Sequence, residues 1–208
     1  MNPFDPGYYR EGELRAFGIT CGRDVMVAKN CTIIGLRSQS FENIVLGDNV
    51  RIDGFTTIAA ASGHLTVGSY VHIGGYCFLA CAGGVTIDDF SGLSQRVSVY
   101  SSSDDYSGAA LTNPTVPSEY LNVKTAPVHL ERHVIVGAGS VILPGVSIGE
   151  GSSVGALSLV HRTLAEWGMH GGIPAKFLKS RSKALLESES ALRTGLNTRI
   201  PLATRLDP

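Results

Sequence analysis

Aromatic residues are scarce in this chain, at 7% of 208 residues. A core of large rings is therefore excluded, and small or branched side chains must fill the interior. Cysteine is limited to Cys21, Cys31, Cys77 and Cys81. Only Cys77 and Cys81 are close in sequence, and no second pair lies nearby, so the four-ligand zinc pattern is missing. The cysteines read as buried small thiols, and no metal is expected. A basic tract is also missing. With 17 basic and 18 acidic residues, the net charge is -1. That balance excludes a broad nucleic-acid surface, though not one small anion site. No apolar run reaches membrane-spanning length. The opening Met1-Asn2-Pro3-Phe4-Asp5 lacks the basic and apolar regions of a signal peptide. A cytoplasmic protein is expected.

What is abundant is glycine, 25 residues, beside 43% hydrophobic content. Collagen's every-third-residue period is not present, so the glycines imply many tight turns. One six-residue beat organises them. Aliphatic residues recur at Leu130, Val136, Ile142, Ile148, Val154 and Val160. The same beat runs through Leu46, Ile52 and Ile58, through Val67, Ile73 and Leu79, and through Ile87, Leu93 and Val99. A weaker start lies at Cys21, Val27 and Ile33. Repeats of this kind decide the fold before any other feature.

Each six-residue unit supplies a short strand and a turn, and three units close a triangular coil. The aliphatic residue points inward. So does the residue two places before it, as with Val71, Val97, Val134, Ser140 and Val146. Glycine, asparagine and aspartate are expected at the turns, where positive φ is needed. A sandwich, with period-two faces of variable length, gives no reason for a sustained beat of six. The expected fold is all-β, a left-handed parallel β-helix. Its parts are an N-terminal cap over 1–18, the coils over 19–160, and a closing segment with a C-terminal helix over 161–208.

The beat breaks at 34–45, at Ala59 to Thr66, and most widely at 101–127. The last stretch carries Pro114, Pro117 and Pro127 among polar residues. Loops this long usually have a job, and covering a site is the expected one. A short helix within Pro6 to Phe17 should cap the first coil. Ser182 to Leu192 reads as a helix, with Ala184, Leu185, Leu186, Ala191 and Leu192 as its contacts. The end, with Pro201 and Pro208, reads as frayed.

The run Val134-Ile135-Val136-Gly137-Ala138-Gly139-Ser140-Val141-Ile142-Leu143-Pro144-Gly145-Val146-Ser147-Ile148-Gly149 and the closing Gly171-Gly172-Ile173-Pro174-Ala175-Lys176 resemble the hexapeptide-repeat acyltransferase superfamily. The nearer resemblance is to sugar O-acetyltransferases of surface-polysaccharide biosynthesis. It implies a homotrimer with sites between subunits, acetyl-CoA as cosubstrate, and a sugar or nucleotide-sugar acceptor. Two departures stand out. Relatives often carry a catalytic histidine just after the strand entering the large loop, where this chain reads Val99-Tyr100-Ser101-Ser102-Ser103-Asp104-Asp105. The closing motif usually has asparagine before Pro-Ala-Lys, and here it is Ile173.

Acetyl transfer needs a base for the acceptor and a donor for the developing oxyanion. His72 precedes the inward Ile73, should point outward, and is the first candidate base. Asp104 is the candidate to orient it. Its ordinary alternative is turn capping. Asp105, Tyr106 and Asn113 are candidates for the sugar. His129 is the second candidate base, since it too precedes an inward aliphatic. His64, His133 and His170 read as structural or solvated, and His161 lies near the expected coenzyme tail. The resemblance implies a pantetheine groove beside Ala138, Ala156 and Ser158. It also implies phosphate contacts at Arg162, Lys176, Lys179 and Arg181. Trp167 reads as packing.

The expected function is acetyl transfer from acetyl-CoA to a sugar hydroxyl, in polysaccharide or lipopolysaccharide biosynthesis. Transfer to an amino-sugar is the near alternative. A non-catalytic scaffold or sugar-binding β-helix is the alternative of another class. A metal-dependent lyase needs three well-placed histidines, which the sequence does not supply.

Overall fold

The computed structural model describes residues 6–35 and 41–195. The chain winds into a left-handed parallel β-helix with short terminal helices. Three sheets form its walls. Face A carries, in spatial order, Tyr8–Tyr9, Met26–Ala28, Arg51–Ile52, His72–Ile73, Gly92–Leu93, Ile135–Val136, Ser153–Val154, Gly168–Gly171 and Lys176–Ser180. Face B runs from Thr20–Cys21 to Ser147–Ile148, and face C from Thr32–Ile34 to Leu159–Val160. The chain visits B, A and C in turn, and neighbouring coils pair in parallel register.

The six-residue beat accounts for the interior. Ile52, Ile73, Leu93, Val136 and Val154 stack along face A, each at most 3% exposed. The residues two places earlier are buried as well, including Val71, Val97, Val134, Ser140 and Val146. Each such aliphatic side chain contributes about 1.5–3 kcal/mol by leaving water. Between coils, Gly47, Gly68 and Gly137 lie so close to the next turn's backbone that a Cβ would collide with it.

The turns differ from expectation. Positive φ is carried not only by glycine and Asn/Asp but by Phe55, Tyr70, Tyr76, Phe90, Arg96, His133, Leu157 and Trp167. Such a conformation costs a bulky residue about 1–3 kcal/mol. Stacking between coils offsets part of it: Tyr70 lies on Phe90 at 4.8 Å, Phe90 on His133 at 5.2 Å, and Phe55 on Tyr76 at 4.8 Å. One residue per coil at the same corner brings these rings into register. Phe55, Tyr70, Tyr76 and Phe90 thus sit at the corners, outside the aliphatic core.

One terminal helix caps the first coil, and the other docks on a wall. Helix α1, Glu11–Ala16, buries Leu14 completely over the first coil. Helix α2, Leu185–Gly195, lies against face A. The apolar contacts expected of α2 are only partly made, since Leu185 and Leu186 are half-buried and Leu192 is 42% exposed. Its buried residue is Glu189, which accepts from His133 at 2.6 Å, from Arg193 at 2.7 Å and from Arg132. The helix docks through a carboxylate because the coil corner beneath it presents the Arg132 and His133 side chains.

The excursion leaves face C after Tyr100 and rejoins face B at Val128. Its stem is an antiparallel pair, Ser102–Ser103 with Lys124–Thr125, and a 3-10 turn spans Ser118–Tyr120. The expected irregular stretch near 34–45 falls partly, and the frayed end wholly, outside the described residues. Among the described residues no helix is long and apolar enough to cross a membrane.

Candidate active site

Along the outer surface of face A, paired positions read Met26, Arg51, His72, Gly92, Ile135 and Ser153. His72 stands in the middle of this row, half exposed, as its place before Ile73 requires. Its Nε2 meets Asp53 Oδ2 at 2.8 Å. Asp53 also accepts from Arg51 Nε at 2.7 Å and from the Tyr8 hydroxyl at 3.3 Å. Burial works against the ionised form of Asp53, but hydrogen bonds from His72 and Arg51 outweigh it and hold its pKa below the ordinary carboxylate value. An ionised Asp53 can only accept, so Nε2 is the donor in this pair, and in the neutral ring that leaves the lone pair on Nδ1. No hydrogen bond reaches Nδ1 among the described residues.

The partner of His72 was not foreseen. Asp53 lies 19 residues earlier, which is one coil back along the same face. That spacing is the signal that could have identified it. Two adjoining cavities flank the imidazole. One, of about 500 Å³, lies between face A and α2, and the other, of about 320 Å³, lies beside Asn49, Arg51 and Tyr70.

Asp104 does not meet His72 within the chain. It is exposed at the start of the excursion, which springs from the corner between faces C and B. That corner is opposite face A. Asp105 is buried and works inside the loop, accepting from the backbone of Ser107 at 2.8 Å and of Ala110 at 3.1 Å. The Ser107 hydrogen bonds lower its pKa. Asn113 likewise closes a turn, with its Oδ1 accepting from Thr115 N and Oγ1. Tyr106 is 94% exposed and makes no hydrogen bond among the described residues.

Ala138 and Ala156 occupy one corner in successive coils, where Leu157 N donates to Ala138 O at 2.8 Å. Ser158 is buried, donating to Gly155 O at 2.7 Å and accepting from Gly172 N at 3.1 Å, so it fastens that turn. Arg162 and Lys176 line one cavity of about 320 Å³ with His161, His170 and Phe177. Lys179 is exposed on the antiparallel edge opposite Met169. Arg181 stands apart from this group, because its guanidinium donates to the carbonyls of His133 and Gly151, both at 2.8 Å. Burial lowers its pKa.

His129 makes a similar pair on face B, its Nε2 at 2.8 Å from Asp88 Oδ2. Burial pushes the Cys77 thiol up to about 11 and the Cys81 thiol up to about 12, which disfavours the thiolate that a covalent route would need. Among the described residues no group of three or more His, Cys, Asp or Glu side chains could hold a metal ion.

Residues 127–162 match the family described as bacterial transferase hexapeptide (six repeats). The chain is 40% identical over 187 residues to dTDP-4-amino-4,6-dideoxy-D-glucose acyltransferase of Escherichia coli, covering 89% of this chain and 95% of that one. AntD, an N-acyltransferase from Bacillus cereus, was solved with dTDP and 3-hydroxybutyryl-CoA. It superposes with a TM-score of 0.84 at 39% identity, over 92% of this chain and 99% of its own. A maltose O-acetyltransferase from Clostridium difficile 630 shares the fold, with a TM-score of 0.52 at 19% identity over 82% and 73% of the two chains.

These matches overturn the expectation of O-acetyl transfer to a sugar hydroxyl. The two relatives matched over about nine-tenths of this chain are an acyltransferase of an amino sugar and an N-acyltransferase, and the maltose O-acetyltransferase shares only the architecture. The reason is physical: the repeat and the closing motif that carried the expectation build coils, and stacked coils are indifferent to whether the attacking atom is oxygen or nitrogen.

Proposed function

Because the chain belongs to the hexapeptide-repeat acyltransferase superfamily, we propose that it is a coenzyme A-dependent N-acyltransferase acting on the amine of a nucleotide-linked amino sugar. Its place is the cytoplasm, in the supply of sugars for surface polysaccharide. The observation that carries the mechanism is the His72 imidazole, fixed by Asp53 at the mouth of two cavities with Nδ1 unengaged. The amine nitrogen attacks the thioester carbonyl carbon, the C–S bond breaks, and the amine's proton passes through His72 to the leaving coenzyme thiolate.

The acting unit is a homotrimer. The outer surface of face C is apolar, with Ala59, Phe78, Ala80, Tyr100, Val141 and Leu159 half-buried. Turning it toward a threefold axis covers it and brings the face A–face C edge of one chain against the excursion of the next. Asp104 and Tyr106 of one copy then face His72 of another. AntD has been solved as variants at a serine and at an aspartate ten positions beyond it. Ser94 and Asp104 have that separation here, and Ser94 follows Leu93 at this same edge. The Ala138–Ala156 corner suits a pantetheine arm, and Arg162 and Lys176 suit its phosphates.

The test is thiol release from acyl-CoA with dTDP-4-amino-4,6-dideoxyglucose as acceptor, and with dTDP-glucose as the hydroxyl control. Release with the amine alone, and an amide product by mass, is expected. Release with the hydroxyl control, or coenzyme binding without turnover, overturns the reading.

A further inference from the structure

We propose that the cavity over Gly92 seats the acyl tail of the donor thioester, and that this tail is longer than acetyl. The inference rests on the N-acyltransferase reading and on His72 marking the reacting centre. Gly92 is the one position in the Arg51-to-Ser153 row without a side chain. Its backbone does not require glycine, since its φ is not positive. Its packing does not require it either, because an added Cβ would meet nothing nearer than 3.8 Å. A glycine in mid-strand is destabilising relative to a side chain, and often marks a place where a ligand approaches. Here it opens a notch of about 500 Å³ that begins at His72 and ends at α2.

The lining chooses the occupant. Phe90, Ile135, Leu185 and Leu192 present apolar surface to the notch. The buried polar groups beside them are already satisfied. Ser91 Oγ donates to Glu131 O and accepts from Val134 N, His133 is paired with Glu189, and Arg181 donates to backbone carbonyls. A polar ligand would find few unused partners there, whereas an alkyl chain displaces water without stranding any of them. The notch adjoins His72, so a thioester carbonyl held at the imidazole can direct its tail across Gly92 toward α2. The bonds made and broken are those of the proposed reaction, with a C–N bond formed, the C–S bond broken and the amine proton ending on the coenzyme thiol.

The experiment compares acetyl-CoA and butyryl-CoA as donors to dTDP-4-amino-4,6-dideoxyglucose, using the full chain. In the native protein, kcat/KM should favour butyryl-CoA by about 10-fold or more, since each methylene in an apolar pocket is worth about 10- to 200-fold. In Gly92→Val, which fills the notch from its floor, the butyryl-to-acetyl ratio should fall by about 100-fold. Leu185→Phe, which narrows the opposite wall, should move the ratio in the same direction and serves if the first variant folds poorly. A native preference for acetyl-CoA, or variants that scale both donors equally, overturns the acyl pocket while leaving N-acyl transfer intact. Failure of both thioesters to react with the amine overturns the functional reading, and the pocket with it.

Discussion

Two histidines leave adjacent walls of the β-helix in nearly the same way. His72 and His129 each precede an inward aliphatic, and each places Nε2 at 2.8 Å from an aspartate. Their surroundings differ. Asp53 is shared with Arg51 and Tyr8, and the next position in the row is Gly92, which opens space beside the ring. In the His129 row the neighbours Thr86 and Ser147 both carry side chains. A histidine–aspartate pair is therefore not a site by itself on this scaffold. The space beside it, and the chain that can enter that space, decide whether it can meet a substrate.

The sharpest way to break this contrast is substitution of the two rings. His72→Ala should lower kcat by about 10³-fold, the range of a positioned base, with circular dichroism unchanged. Wild-type turnover in that variant would end its assignment. Asp53→Asn should cost less, about 10-fold, and should alter the pH profile of kcat, since an amide no longer fixes the imidazole tautomer. A loss confined to stability, with an unaltered pH profile, would reduce Asp53 to a structural partner. His129→Ala should change kcat/KM by less than about threefold, because its ring is read as part of the wall. A loss equal to that of His72→Ala would reverse the comparison.

Acid should act first on the α2 wall of the cavity. Burial raises the pKa of Glu189, but hydrogen bonds from Arg193 and His133 and the charges of Arg132 and His133 outweigh it, so the pKa lies below the ordinary value. Asp89 is the other acid nearby, 3.6 Å from Arg193. The sign follows from a depressed pKa. The contribution is fully present above the ordinary glutamate pKa of about 4.3, and fades as pH falls through the lowered value. Acidification should thus release α2 before the coils unfold. Trp167, the single tryptophan, reports this, because Lys183 at the approach to α2 lies 4.9 Å over its ring. Its fluorescence should change in that acid window in the native chain. In Glu189→Gln the change should be absent or displaced, and an identical transition would contradict the role given to the carboxylate.

Much of the architecture was legible because it depends on local period. An inward aliphatic every sixth residue is a one-dimensional signal, and Leu130 through Val160 carried it without interruption. The corners were less legible. Tyr70, Phe90 and His133 look unsuited to positive φ until their stacking across coils is seen, and that contact spans about one coil for Tyr70–Phe90 and the excursion for Phe90–His133. At the candidate site, the outward direction of His72 followed from its neighbour Ile73. Its partner Asp53, the missing side chain at Gly92 and the docking of Glu189 did not, because each acquires meaning only from residues in another coil or at the far end of the chain. The acceptor atom was illegible for a different reason. No residue of the repeat depends on whether oxygen or nitrogen attacks.

His72 and Asp104, on opposite sides of one chain, are proposed to serve one reaction across a boundary between chains. Subunit mixing tests it directly. His72→Ala and Asp104→Asn, each expected to lose most of its activity alone, are co-expressed in equal amounts and the mixed assemblies assayed for thiol release with the amino-sugar nucleotide. Random assembly should restore about a quarter of native activity, since that share of clefts pairs an intact imidazole with an intact carboxylate from a neighbour. Activity no higher than that of either variant alone would contradict the account.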